Sequence, residues 1–210
     1  MLIQPTQTAI LTNELLTLDA IKLDPQHPFQ HQSGLMAPIY TDIHATIGRP
    51  PLRQLIVCCL ADLITTRFPE ATVIMSPSTP DLPYAALVAE ALALPLVDAT
   101  AMNDQPAIRV ANTDHVVLLT DVITTGNRLV ETAANVRHSG ATVSGLATIF
   151  DYQLPDVVTT LTDHDVAPAA LITYSHLLAQ LVDQHALTRA DKLLAKTWQH
   201  DRWHWRAITL

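Results

Sequence analysis

Short apolar runs alternate with helical patterns through most of the chain, and this alternation constrains the fold more than any other feature. The apolar runs predict strands at 71–75, 95–99, 115–119, 142–150 and 169–174. The helical patterns lie at 8–18, 50–64, 83–94, 127–138, 175–185 and 188–199. Continuous apolar strands that alternate with helices are typical of a parallel sheet covered on both faces. We therefore predict an α/β fold with a central parallel sheet flanked by helices.

Length and composition favour one folded domain over residues 1–210, with 49% hydrophobic and 15% charged residues. The net charge is −8 and the cations are scattered, so we expect neither a nucleic acid nor a membrane surface as partner. Cys58 and Cys59 are neighbours, which rarely form a disulfide. With no signal-peptide pattern and no span of membrane length, the expected location is the cytoplasm.

A polar turn follows the apolar run that begins at His115. The run ends at Asp121, the turn covers 124–127, and a helical pattern follows. In open α/β sheets, ligands bind beyond the carboxyl ends of strands, where N–H groups at a helix start face an anion. A carboxylate beside such a turn accepts hydrogen bonds from sugar hydroxyls, so the pair suggests a ribose phosphate. The residues alone leave a second interpretation open, in which Thr124 or Thr125 caps the helix and Asp121 ends the strand.

Four segments resemble one enzyme family. "LLTDVITTGNRL" (118–129) resembles the phosphoribosyl-pyrophosphate loop of type I phosphoribosyltransferases. "PFQHQSGLMAPIYTD" (28–42) is similar to the Phe, Ser-Gly, Ser-Pro and Tyr-x-Asp segment of orotate phosphoribosyltransferases. "GRPPLRQLI" (48–56) and "ATIFDYQLP" (147–155) resemble the helix start and the later strand of that family. The resemblance runs in order from about residue 9 to the tryptophan-containing tail, so it covers nearly the whole chain.

The resemblance implies a type I phosphoribosyltransferase fold with a small hood formed by the N-terminal and C-terminal segments. It also implies transfer of ribose 5-phosphate from phosphoribosyl pyrophosphate to N1 of orotate, with Mg²⁺ bound and pyrophosphate released. Family members form dimers that share loops between subunits, which implies a homodimer here. The ribose-phosphate residues carried over by the resemblance are Thr120, Asp121, Thr124, Thr125, Gly126 and Asn127. The base-side residues are Phe29, Ser33, Gly34 and Tyr40, with Tyr40 expected to stack on the base.

The chain departs from the family where the catalytic loop is expected. Active members supply positive charge to the departing pyrophosphate from a loop with lysines and a His-Gly. The corresponding region here, 94–115, is shorter and contains no lysine, since the only lysines are Lys22, Lys192 and Lys196. Arg109 is the single candidate there for a phosphate contact, although an ordinary loop arginine is the competing interpretation. No catalytic residue is therefore assigned.

Two more departures affect the pyrophosphate and ribose positions. The turn "SPSTPDLPY" (76–84) has three prolines, which lack an N–H, and Asp81 adds negative charge, so we expect it to repel pyrophosphate. Thr120 stands where the family has the first of two acids, which predicts that Asp121 acts alone on the ribose hydroxyls.

These departures leave two function hypotheses. The first is orotate phosphoribosyltransferase activity in pyrimidine nucleotide metabolism, at a reduced rate. The second is a catalytically impaired paralogue that binds a pyrimidine nucleotide monophosphate, either as a regulator or as the partner subunit of an active homologue in a heterodimer.

The C-terminal tail offers two further interpretations. His200 and His204 have the spacing of two zinc ligands, but no third ligand is evident, so we predict no protein-built metal site and Mg²⁺ rests on the resemblance alone. Trp198, Trp203 and Trp205 are expected to pin the tail to the body or to a second subunit.

Overall fold

The computed structural model describes residues 5–30, 34–100 and 110–205. Its strands are β1 (Ile21–Leu23), β2 (Phe29–Gln30), β3 (Met36–Ala37), β4 (Ile39–Thr41), β5 (Val73–Ser76), β6 (Leu96–Asp98), β7 (His115–Ile123), β8 (Thr142–Asp151) and β9 (Pro168–Thr173). Its α-helices are α1 (Pro5–Thr17), α2 (Pro50–Arg67), α3 (Leu82–Leu92), α4 (Asn127–His138), α5 (Pro155–Asp163), α6 (Tyr174–Asp183) and α7 (Arg189–His200). Short 3₁₀ helices cover Ile43–Gly48 and Thr79–Asp81.

The central sheet confirms the predicted architecture. Its five parallel strands lie in the order β6, β5, β7, β8, β9. Residues Val116 to Leu119 of β7 have no exposed surface, because helices cover the sheet: α3 contacts β5 and β7, and α4 contacts β7 and β8. The strands point the same way, so their carboxyl ends meet at one edge. That edge contains Ser76, Ile123 and Asp151.

The central strand β7 is longer than its apolar run suggested. The run predicted a strand over 115–119, whereas pairing with β8 continues to Val122↔Phe150 and Ile123↔Asp151. The backbone pairing therefore places Asp121 inside the strand, with the polar turn immediately after it.

Several short elements were not predicted. Strand β1 pairs with β4, and β2 with β3, both antiparallel. Helix α5 was also missed, because only Val157 and Leu161 are buried among its threonines and acids. Its apolar side chains besides the first proline are Val157, Val158 and Leu161, and two buried positions over nine residues give a weak helical pattern.

The N-terminal and C-terminal segments lie against each other. The Gln180 side-chain amide donates to the Ala9 carbonyl at 3.2 Å and to Asn13 Oδ1 at 2.9 Å. The Gln26 amide donates to Asp191 Oδ1 at 2.6 Å. Polar side chains thus join α1 and the following loop to α6 and α7.

The tryptophan-rich tail is packed in part. Trp198 and Trp205 are each 6% exposed, as expected of residues that pin the tail to the body. The Trp205 indole N–H donates to the Leu194 carbonyl at 3.2 Å. Trp203 is 58% exposed, so it does not pin the tail to the body, and its predicted contact with a second subunit stays a prediction. Within the described ranges, no helix combines the length and the apolar character needed to cross a membrane.

Candidate functional site

The turn between β7 and α4 presents backbone N–H groups at the carboxyl edge of the sheet. We call residues Thr124–Asn127 the phosphate turn. Gly126 has φ +76°, a conformation that favours glycine, and a Cβ added there would lie 3.1 Å from Val157 Cγ1. Gly126 is also the N-cap of α4, which has no side-chain capping bond, so the interpretation that Thr124 or Thr125 caps the helix is wrong. The first N–H groups of α4 lack intrahelical acceptors and can bind an anion.

Asp121 lies next to the phosphate turn, with 17% of its side chain exposed. Its Oδ1 accepts a hydrogen bond from the Val122 N–H at 2.6 Å, and its Oδ2 lies 3.3 Å from His44 Nε2. Burial, and next the charge of Asp81, raise the pKa of Asp121 to about 6, while His44 opposes the shift. Near neutral pH this carboxylate can accept hydrogen bonds from sugar hydroxyls.

Asp81 is a second acid beside Asp121, and the prediction that Asp121 acts alone on the ribose hydroxyls stays a prediction. Its Oδ1 accepts hydrogen bonds from Thr120 Oγ1 at 2.8 Å and from the Asp121 N–H at 3.0 Å. Its Oδ2 accepts one from Ser78 Oγ, and only 4% of the residue is exposed. Thr120, which stands at the first acid position, therefore binds a carboxylate that the turn at 76–84 supplies. No local sequence pattern indicated this contact, because 40 residues separate Asp81 and Asp121.

A polar cavity of about 340 Å³ lies between these groups. Its lining comes from within the segments 41–44, 77–81 and 120–129. Asp121, Thr124, Thr125 and Gly126 all line it, so the structure brings together most of the predicted ribose-phosphate residues. Among its described lining residues Arg128 is a cation, and His44 contributes an imidazole; neither was selected from the sequence. Asn127 faces a neighbouring cavity with Arg128.

An aromatic cavity of about 420 Å³ also adjoins the phosphate turn. Its lining comes from within 35–41, 124–125, 152–154 and 198–203. The two cavities share Thr41, Thr124 and Thr125, so they meet at the phosphate turn. Tyr152 donates or accepts a hydrogen bond with Thr41 Oγ1 at 2.8 Å, and burial raises the pKa of Tyr152 to about 12. Its hydroxyl is therefore neutral at physiological pH.

The predicted base-side residues fall in different places. Tyr40 lines the aromatic cavity and is 40% exposed. The Phe29 ring lies next to the Tyr40 ring, with the two centroids 6.1 Å apart. Gly34 is exposed, with φ +82°, and is absent from the cavity lining. Ser33 and Arg109 lie outside the described residues.

The aromatic cavity also contains residues that sequence reasoning missed. Tyr152, Trp198, Arg202 and Trp203 come from β8's end and from the C-terminal segment. The three C-terminal residues lie far along the chain from the base-side segment at 28–42. Their aromatic composition was the available signal, and it was interpreted as packing alone.

No protein-family model matches the chain. An orotate phosphoribosyltransferase from Levilactobacillus brevis is 38% identical over 204 residues, covering 94% of this chain and 97% of that protein. One from Lactobacillus johnsonii is 34% identical over 201 residues, covering 93% and 95%. The crystal structure of orotate phosphoribosyltransferase from Francisella tularensis has a TM-score of 0.74 at 16% identity, covering 91% of this chain and 94% of that one. The structural likeness shows the fold, and the sequence identity over nearly full length shows that this chain belongs to the orotate phosphoribosyltransferase family.

Proposed function

We propose that this protein transfers ribose 5-phosphate from phosphoribosyl pyrophosphate to N1 of orotate, releasing pyrophosphate, in pyrimidine nucleotide synthesis. One observation carries the proposal: a polar and an aromatic cavity meet at the phosphate turn. A nucleotide has a charged sugar phosphate that suits the polar cavity and a planar base that suits the aromatic cavity. The alternative, in which the chain binds a nucleotide only as a regulator or as a partner subunit, is not favoured, because relatives matched over 95–97% of their own length are named as the transferase.

Each part of the substrate has a group to bind it. The N–H groups of the phosphate turn bind the 5-phosphate, where the positive end of α4 favours an anion. Asp121 accepts hydrogen bonds from the ribose hydroxyls. Tyr40 stacks against the base in the aromatic cavity.

The departing pyrophosphate needs positive charge, because charge builds on it as the glycosidic bond breaks. Arg128 is the cation that the described lining of the polar cavity offers, and His44 adds an imidazole there. Pro77 and Pro80 line the same cavity and offer no N–H to the anion. Binding of the substrate therefore has better support in this cavity than stabilisation of its leaving group.

We propose that Asp121 would hold Mg²⁺ together with the diphosphate of the substrate, and that the ion would supply charge to offset that of the diphosphate. Among the described residues, no group of three or more His, Cys, Asp or Glu side chains is placed to hold a metal. Mg²⁺ sites in nucleotide-handling enzymes commonly use one or two carboxylates together with substrate phosphates. Asp121 is the carboxylate beside the phosphate turn that fits this arrangement.

We also propose a homodimer, on the strength of the family. Light scattering on purified protein should give twice the chain mass of 23.0 kDa. A monomeric mass would contradict this part of the proposal.

The transferase proposal is tested by following orotate consumption with phosphoribosyl pyrophosphate and Mg²⁺ present. We expect consumption that requires phosphoribosyl pyrophosphate and is lost in Gly126→Val, whose side chain meets Val157. Gly48→Ala is the matched control, since a Cβ there has no heavy atom within 4 Å. Absence of orotate consumption by the wild type, or equal rates in wild type and Gly126→Val, would contradict the proposal.

A further inference from the structure

The C-terminal segment forms one wall of the aromatic cavity and is held there firmly. The Trp198 ring packs edge-on against Tyr152 and Tyr174, with centroids 5.8 Å away in each case. The Gln199 side-chain amide donates to the Tyr152 carbonyl at 2.8 Å. These contacts join the wall to Tyr152, the residue that follows β8.

Arg202 extends from this wall to the phosphate turn. Its Nη1 donates to the Thr124 carbonyl at 3.2 Å, and its Nη2 donates to Asp156 Oδ2 at 2.8 Å. Its Cζ lies 4.9 Å from the centroid of the Trp203 ring. Only 13% of the Arg202 side chain is exposed, whereas Asp156 is 57% exposed and belongs to the surface.

Arg202 is the one charged side chain among the described residues that line the aromatic cavity. A guanidinium has five N–H donors in a planar fork, and the contacts to Thr124 and Asp156 use two of them. The guanidinium lies over the Trp203 ring, and only 13% of the side chain is exposed. A planar cation in such surroundings is suited to a carboxylate, which it can bind through two parallel hydrogen bonds.

We infer that Arg202 recognises the carboxylate of the base, so that the C-terminal segment makes this site selective for an anionic pyrimidine over a neutral one. The inference rests on the proposed function, because orotate differs from uracil by that carboxylate. Asp156 orients the guanidinium from the solvent side. Tyr40 and Trp203, both partly exposed at the cavity, offer faces for the ring of the base.

The contact with Thr124 provides the competing explanation. If Arg202 only holds the phosphate turn in place, its loss weakens the binding of every ligand that carries a 5-phosphate. Recognition of the carboxylate instead affects only ligands that have one. Two nucleotides that differ by this group alone separate the two roles.

The experiment is calorimetry with orotidine monophosphate and uridine monophosphate on wild type, Arg202→Gln and Arg189→Gln. Arg189 is an exposed arginine at the start of α7 and is the matched control. We expect the wild type to bind orotidine monophosphate at least about 10-fold more tightly than uridine monophosphate, the effect of a charged hydrogen bond. Arg202→Gln should lose that preference and keep its affinity for uridine monophosphate, while Arg189→Gln behaves as wild type.

Two results would overturn the inference. In the first, Arg202→Gln binds both nucleotides more weakly than wild type by the same factor; in the second, the wild type binds both with equal affinity. Ribose 5-phosphate is titrated into each variant as a check on folding and on the phosphate turn. A wild type that binds ribose 5-phosphate and consumes orotate, yet shows no preference between the nucleotides, refutes the role of Arg202 alone. A wild type that binds no ribose 5-phosphate and consumes no orotate refutes the proposed function.

Discussion

Gly126 permits the phosphate turn through its backbone conformation. With φ +76° and Val157 Cγ1 3.1 Å from an added Cβ, an alanine there is both conformationally strained and crowded. We predict that Gly126→Ala lowers the free energy of unfolding by about 1–2 kcal/mol. Urea denaturation measures the change. Gly48→Ala, which meets nothing within 4 Å, should unfold at or slightly above the wild-type midpoint; a similar loss in both variants would contradict the account.

Asp121 makes stability depend on pH. Its pKa is raised in the folded protein from 3.8 to about 6, so the folded state holds the proton more tightly than the unfolded chain does. The stabilisation that the protonated form provides is complete below pH 3.8 and is lost as the pH rises through about 6. An asparagine in place of Asp121 would imitate the neutral acid at every pH.

We therefore predict that the difference in the free energy of unfolding, Asp121→Asn minus wild type, increases by about 1–3 kcal/mol from pH 4 to pH 7.5. Urea unfolding of both proteins at the two pH values measures this difference. Asp183→Asn, at an exposed position on α6, is the control and should show no such trend. A difference between Asp121→Asn and wild type that stays constant with pH would show that the burial of Asp121 has no such consequence.

At this scale the sequence predicted a ribose-phosphate site from a local pattern, because Asp121 and the phosphate turn are near neighbours in the chain. It did not predict that Asp81 accepts hydrogen bonds from Thr120 and from the Asp121 N–H. That contact depends on how the turn after β5 meets the end of β7, which no local pattern records.

Strand β8 and the end of α2 are fitted closely together at Gly145. A Cβ at Gly145 would lie 2.3 Å from Cε1 and 2.6 Å from Cζ of Phe68, which is itself buried. We predict that Gly145→Ala lowers the free energy of unfolding by about 1–3 kcal/mol, through overpacking. Thermal or urea unfolding measures this loss.

Phe68→Leu tests whether that ring is the cause. The shorter side chain removes the ring atoms that the new methyl group meets, so the double variant should lose less stability than the sum of the single variants. Additive losses would mean that Gly145 is needed for another reason.

The elements that could be predicted are those with a sustained apolar pattern. Strand β7 and helix α4 were found because their buried residues recur over nine and 12 residues. Strands β1 to β3 have two or three residues each, and α5 buries two apolar side chains, so their patterns were too short to detect. Their positions follow from tertiary contacts with neighbouring parts of the chain.

For the molecule as a whole, the binding groups are more complete than the groups that stabilise the leaving pyrophosphate. The sequence has no lysine between Lys22 and Lys192, and Pro77 and Pro80, which have no N–H to offer, are part of the lining of the polar cavity. We predict a rate of orotidine monophosphate formation on the order of 10²-fold or more below that of an active family member with loop lysines. A side-by-side steady-state assay measures it, and equal turnover numbers would contradict this prediction.

The phosphate turn lines both the polar and the aromatic cavity, and the proposed function depends on one nucleotide occupying both. A crystal structure with orotidine monophosphate tests it most directly. We predict that the phosphate lies at the N–H groups of Thr124–Asn127, the ribose hydroxyls beside Asp121, and the base in the aromatic cavity next to Arg202. A nucleotide whose phosphate binds away from this turn would contradict the account.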